Sequence, residues 1–243
     1  MSSDAVTAAD KPLYEVVSGA DPQSVADVIA SMQAIDALLP VTNGVKWFNQ
    51  LYLMVTQEVD LRPQVGAWQN PAWLTRLDVV FAKLYFRALA AFLAGQPIPA
   101  AWSALFEARS VAEIDRIQFA LAGVNAHINH DLPLALLTTD ADLAVLPALD
   151  SAEHQDYEAV NTLLDAVLPT ALTVLATDTL GMLAQDTGKI GRVLAFWNVR
   201  KARDLAWDFA DHLRRLDDVS RAAALAAQDA VTGALGRAIL ALR

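Results

Sequence analysis

The chain has 243 residues, of which 55% are hydrophobic and 19% charged, a balance that excludes intrinsic disorder and can fill one large core. It contains no cysteine, which removes disulfide scaffolds, thiolate metal sites and thiol catalysis. A net charge of −10 repels phosphate backbones, and the densest basic stretch, Arg200 to Arg215, is interleaved with Asp204, Asp208 and Asp211, so no nucleic-acid partner is expected.

Residues 1–20 read as a flexible N-terminal arm, and residues 21–243 as a single helical domain. Met1 to Lys11 lacks the apolar run and basic flank of a signal peptide, so a cytoplasmic protein is expected. Mean hydropathy is +0.31, yet no segment approaches the ~18 uninterrupted apolar residues of a membrane span, so no membrane partner is expected.

Asp21-Pro22 suits a helix start, followed by Val25, Val28, Ile29, Met32 and Ile35 at helical spacing. A second helix is expected over 45–59, after the turn at Pro40 to Gly44. Asn70-Pro71 opens a third helix that Gly95-Gln96-Pro97 stops, and a short fourth spans 99–108. Ser110-x-x-Glu113 has capping-box spacing and predicts a fifth helix reaching His130 before Pro133. A sixth starts at Asp150 or Ser151 and is expected to break at Pro169. Gly181 and Gly188 mark a break, a long helix follows over 189–216, and Asp217 or Asp218 caps the last. Strand signals are poor. The expected fold is all-α, a bundle of about seven to ten helices with a central buried helix near 111–130.

That central helix carries the chemistry. Ile117, Phe119, Leu121, Ala122, Val124, Ala126 and Ile128 make it apolar nearly all round, so its polar groups need partners. At about 100° per residue, Gln118, Asn125 and Asn129 share one stripe, while His127 and Asp131 share another with His130 close by. A carboxylate four residues after an imidazole can orient it and raise its basicity. The same spacing can hold a divalent metal through His127, His130 and Asp131, although no cofactor is required. A third reading is structural: the polar groups cross-link the bundle. The chain has only four His, His154 being expected to face solvent, and His212 to lie with Asp208 on an exposed acidic face. Asp78 is expected to be partly buried, with Arg109, Arg200 or Arg203 as an ion-pair partner.

The strings Gly44-Val-Lys-Trp-Phe-Asn-Gln-Leu-Tyr-Leu-Met-Val-Thr56, Gly123-Val-Asn-Ala-His-Ile-Asn-His-Asp-Leu-Pro133 and Arg203-Asp-Leu-Ala-Trp207 resemble a bacterial family of helical proteins of unknown function, number 5995 among such domains. The resemblance runs from about residue 24 to 215. It implies that Asn125, His127, Asn129 and Asp131 match the family's central motif, with Trp47, Asn49, Arg203 and Trp207 as supporting residues, and it supplies no activity. His130-Asp131 also resembles the metal dyad of helical HD phosphohydrolases, but no His precedes His127 to serve as their first ligand. Gly188-Lys189-Ile190-Gly191 lacks the spacing of a phosphate loop, and there is no Gly-x-Ser-x-Gly elbow.

The function expected from these residues is a small enzyme working by acid–base chemistry. Its substrate would be a small, largely apolar molecule held by Trp47, Phe48, Asn49, Tyr52, Arg203 and Trp207. His127 would exchange the proton, Asp131 would orient it, and Asn125 and Asn129 would donate to a developing oxyanion. Cyclisation, isomerisation, elimination or hydrolysis needs no more. The alternatives are a non-catalytic ligand-binding or oligomeric scaffold and a metal-dependent helical hydrolase or oxidase. The Ala-rich C-terminal helix suits a homodimer. A cavity of a few hundred cubic ångströms beside His127 would separate a small-molecule site from a filled scaffold.

Overall fold

The computed structural model describes residues 6–61, 68–176 and 198–242; these residues are helical and contain no strand. The first helix arises inside the expected arm. Lys11–Gly19 forms α1 because Pro12 suits a first turn and Leu13 and Val17, four apart, bury one face against the core.

Helix α2 is Val25–Leu38. Its start is set by Ser24 rather than Asp21-Pro22: Ser24 Oγ accepts from Asp27 N–H at 3.2 Å and Asp27 Oδ2 accepts from Ser24 N–H at 3.0 Å. Two otherwise unpaired amides are satisfied together, which Asp21, paired with Lys83 instead, does not offer. Helix α3 is Gly44–Leu61 and α4 is Pro71–Leu93, capped by Asn70 Oδ1 on Trp73 N–H at 3.1 Å. Helix α5 is Ala100–Ala108.

The central segment begins five residues later than its capping-box spacing suggests. Ser110 and Glu113 lie in a turn, and α6 is Arg116–Ala126, with Asp115 N–H donating to Gln118 Oε1 at 3.1 Å. From Ile117 to Ile128 every residue except Val124 is buried. Pro133 does not end the helix. Instead one wide π turn, His127–Asp131, leads into α7, Leu132–Leu143. Leu132 N–H reaches His127 O, five residues back, and this widening makes room for the proline ring. Pro133 offers no N–H to the carbonyl four back, Asn129 O, and Gln228 Nε2 donates to it at 3.0 Å.

Helix α8, Ala152–Ala176, passes through Pro169 rather than breaking there. Helix α9 is Val199–Arg214, begun by Asn198 Oδ1 accepting from Lys201 N–H at 3.0 Å. The expected start at Lys189 and the Gly181–Gly188 break lie outside the described residues. Helix α10 is Asp218–Leu240, capped by Asp217.

Two apolar clusters build the interior. One gathers Leu13, Met32, Phe48, Tyr85, Trp102, Phe106 and Ile117; the other gathers Trp73, Leu77, Ile128, Leu136, Tyr157 and Trp207. Val55, Phe81 and Val124 touch both, and the π turn sits at this seam. Two of the close approaches that glycine permits bear on the helices around the π turn. A Cβ at Gly123 would land on the Phe48 ring, so α3 can lie against α6 and aim that ring at His127. A Cβ at Gly233 would strike the Ala100 carbonyl where α10 crosses α5. Asp229 fixes the same crossing, its two carboxylate oxygens accepting from Ala100 and Ala101 N–H at 2.9 and 2.8 Å. Gly233→Ala is expected to lower unfolding stability by about 1–3 kcal/mol, since the obstacle is backbone and neither helix can yield alone. Urea denaturation checks this, and an unchanged midpoint would show that α10 shifts freely.

Candidate functional site

The π turn places His127 at the middle of a ring of aromatic side chains. Its imidazole lies flat on Phe81, with centroids 3.4 Å apart and planes at 6°. Tyr52, Phe48 and Trp102 stand around it at 4.5, 5.6 and 5.9 Å. His127 Nδ1 and Asp131 Oδ2 are 2.9 Å apart, and the indole N–H of Trp102 donates to the same oxygen at 3.0 Å. With a hydrogen on Nδ1, the imidazole donates to Oδ2 and leaves Nε2 as an acceptor. That Nε2 is buried and has no partner. His127 is 3% exposed and Asp131 2%. Burial pushes the His127 pKa well below its ordinary value, so the ring is neutral at physiological pH. Burial pushes Asp131 well up, against the pull of the Trp102 N–H.

A cavity of about 100 Å³ opens beside this ring, smaller than the few hundred expected. It lies between α3, α4, the π turn, α8 and α9, and its wall is mostly Leu, Val, Ile and Phe. Three polar side chains on it end in buried atoms with no partner: His127 Nε2, Tyr52 Oη and Asp78 Oδ2. Burial, then the nearby charges of Asp78 and Asp131, raises the Tyr52 phenol well above its usual range, so it stays protonated and can donate. Burial, then Asp60, raises Asp78 to about 7.

Of the residues expected at the site, His127, Phe48, Tyr52 and Arg203 line the cavity, and Asp131 stands behind His127. Asn125 and Asn129 do not line it, and their amide hydrogens are spent elsewhere. Asn125 Nδ2 donates to Thr232 O and Asn129 Nδ2 to Asn125 Oδ1, each at 2.9 Å. With Gln118, whose Nε2 donates to Ile239 O at 2.8 Å, they dock α10. An oxyanion role for the two Asn residues is therefore corrected: their stripe faces the last helix, and the donor facing the cavity is Tyr52. Asn49 Nδ2 donates to Met32 O at 2.9 Å, joining α3 to α2. Trp47 lies under the Arg116 guanidinium at 4.3 Å, beside a surface groove. Trp207 packs among Trp73, Tyr157 and His154 in the second cluster. These three residues are bundle contacts, not cavity wall. His154 is half-buried against Trp207 rather than solvent-facing, whereas Asp208 and His212 are exposed as expected.

The ion pair expected for Asp78 does not form. Arg109 pairs with Asp10 and Arg200 with Asp165, while Arg203 donates to Asn161 Oδ1 and Tyr157 O at 2.8 and 2.6 Å. His130 is drawn from the dyad, its Nδ1 3.5 Å from Asp229 Oδ1 and its Nε2 3.9 Å from Asp131 Oδ1. Among the described residues no three His, Asp or Glu side chains converge as a metal site. Phe81 and Trp102 enter the site unannounced by any motif. Phe81 had the one available signal, lying three after Asp78 on the same helix face.

Fold and site together define an all-helical protein with a buried imidazole–carboxylate dyad opening on an apolar cavity. The chain belongs to DUF5995, a family of unknown function, whose sequence profile matches residues 25–242. No curated protein and no solved structure matches the chain. Among the described residues, no helix is long and apolar enough to cross a membrane.

Proposed function

We propose that this protein is an enzyme that moves a proton on a small, largely apolar molecule bound in the cavity beside His127. The observation that carries the reading is the set of three partnerless polar atoms, His127 Nε2, Tyr52 Oη and Asp78 Oδ2, on one apolar cavity. Each unpaired buried group costs about 1–3 kcal/mol, and a bound molecule would recover that cost. His127 Nε2 would take or return the proton, Asp131 would hold the ring and stabilise the imidazolium, and Tyr52 would donate to an oxygen gaining charge. Isomerisation or elimination fits this set best, since neither needs a further nucleophile. The volume limits what enters: a cavity of about 150 Å³ holds one benzene ring, so a substrate or its buried end has a handful of heavy atoms.

A non-catalytic scaffold is favoured by one observation, the use of Gln118, Asn125 and Asn129 to dock α10. His127→Ala separates the readings. For an enzyme, turnover in a screen of C4–C6 carbonyl compounds, alcohols and amines should fall about 10²–10⁴-fold in the variant. Thermal unfolding should change less, because water can fill the added space. A variant that folds and keeps the full rate would overturn the proposal.

A further inference from the structure

We infer that the cavity beside His127 binds a small alkylammonium ion, with its charge held by the Asp78 carboxylate and the faces of Phe81, Tyr52 and Phe48. The inference rests on the proposed function only in taking the cavity as a ligand site, not in the proton chemistry.

Four observations point to this class of ligand. Asp78 Oδ2 is buried without a partner, and the three arginines expected to pair with it are engaged elsewhere. A carboxyl group on an apolar wall is costly unless a cation meets it there. Next, the partnerless atoms are acceptors in excess: His127 Nε2 accepts, an ionised Asp78 accepts, and only Tyr52 can donate. An ammonium carries three donors and no acceptor, an alcohol has one donor, and a carboxylate would oppose two acceptors with none. Thirdly, three aromatic rings line the cavity, and a desolvated cation over such rings is held by their quadrupoles. Lastly, the local charge is negative. Asp60 of α3 acts on Asp78, and His127 of the π turn is kept neutral by burial. Arg203 of α9 is the opposing charge on this wall; its guanidinium lies over Tyr157 at 4.1 Å and donates away to Asn161 and Tyr157. Helices α6, α7 and α8 present apolar groups there, among them Val124, Leu132 and Val160.

Asp78 is half ionised near pH 7, so ammonium affinity should rise with pH through that value and then level. Calorimetric titration of the full chain with three probes of one shape tests this: tert-butylammonium, tert-butanol and trimethylacetate. At pH 8 the ammonium should bind at least about tenfold more tightly than the alcohol, and trimethylacetate should not bind. At pH 5.5 ammonium affinity should fall about tenfold or more, because only a small fraction of Asp78 stays ionised. In Asp78→Asn the preference and its pH dependence should both vanish. Near-UV circular dichroism checks that this variant is folded. Phe81→Leu keeps the carboxylate and an apolar wall, and should weaken the ammonium several-fold while leaving the alcohol unchanged. Alcohol binding as tight as ammonium, or an Asp78→Asn variant that keeps the preference, would overturn the inference and leave the proton chemistry standing. Binding of none of the three probes at pH 8 would remove the ligand site itself, and the proposed function with it.

Discussion

Asp131→Ala is expected to destabilise the protein by about 2–4 kcal/mol, because two donors lose their acceptor at once and each unpaired buried group costs about 1–3 kcal/mol. The donors are His127 Nδ1 and Trp102 Nε1, both within 3.0 Å of Asp131 Oδ2. Neither can turn to water, since Trp102 is 0% exposed and His127 3%. Removing a buried carboxyl also relieves its own desolvation, which keeps the loss below the sum for two orphaned groups. Asp131→Asn should behave differently. Its amide oxygen can take the place of Oδ2 and accept from both Trp102 Nε1 and His127 Nδ1, so the ring keeps its hydrogen on Nδ1. What is lost is the carboxylate charge that would stabilise the imidazolium. Stability should change by only about 1 kcal/mol, whereas turnover should drop about 10²–10⁴-fold. Urea unfolding and single-turnover rates on the two variants read the two effects separately. A folded Asp131→Asn protein with normal rates would show that the carboxylate charge does not matter.

The second large effect concerns Asp78 and depends on pH. Its carboxyl is raised from the usual carboxylate range to about 7 by burial, with Asp60 adding to the rise. Between about pH 4 and pH 7 the folded state therefore holds a proton that the unfolded chain has released. Protons are bound more by the native state, so its stability falls as pH rises across this window and levels above it. The shift of about three pKa units sets an upper limit near 4 kcal/mol, and partial exposure of the residue brings the expected figure to about 2–4 kcal/mol. Asp78→Asn removes the term. The variant should match the native chain at pH 4, exceed it progressively through pH 7, and stay ahead at pH 8. Melting temperatures of both proteins over this range check the sign. A variant less stable than the native chain at pH 8 would mean that the carboxylate has a favourable partner in the folded state.

Much of the site was legible because it lies on one short segment. An imidazole four residues before a carboxylate meets it on any helix, and His127 and Asp131 do so even though the turn between them is π rather than α. The same wheel grouped Gln118, Asn125 and Asn129 as one stripe, but it could not say which neighbour the stripe meets. Periodicity states that a face is shared; the partner helix comes from 107 residues away in the case of Asn125 and Thr232. Pro133 misled in the same manner. A proline normally closes a helix, and here Gln228, remote in sequence, supplies the donor that lets the helix continue. Ser110 and Glu113 had capping spacing, yet Asp115 and Gln118, each five residues further on, form the cap, and Gln118 also gains carbonyl partners on α10.

The all-α class, most helix spans, the buried central segment and the dyad were determined by local rules: side-chain spacing, caps, and the cost of placing polar groups on an apolar helix. Those rules act within a few residues, so one chain suffices to read them. The cavity, its partnerless Tyr52 and Asp78, the Trp102 donor and the loss of the two Asn residues to α10 were decided only by tertiary packing. Each depends on which of several compatible faces meet, and that choice is made by close approach. Gly123 lets Phe48 reach the seam, and Gly233 lets α10 seat on α5. Once those helices are in contact, the polar groups of the central helix have their directions settled, and His127 Nε2, left unpaired, faces the cavity.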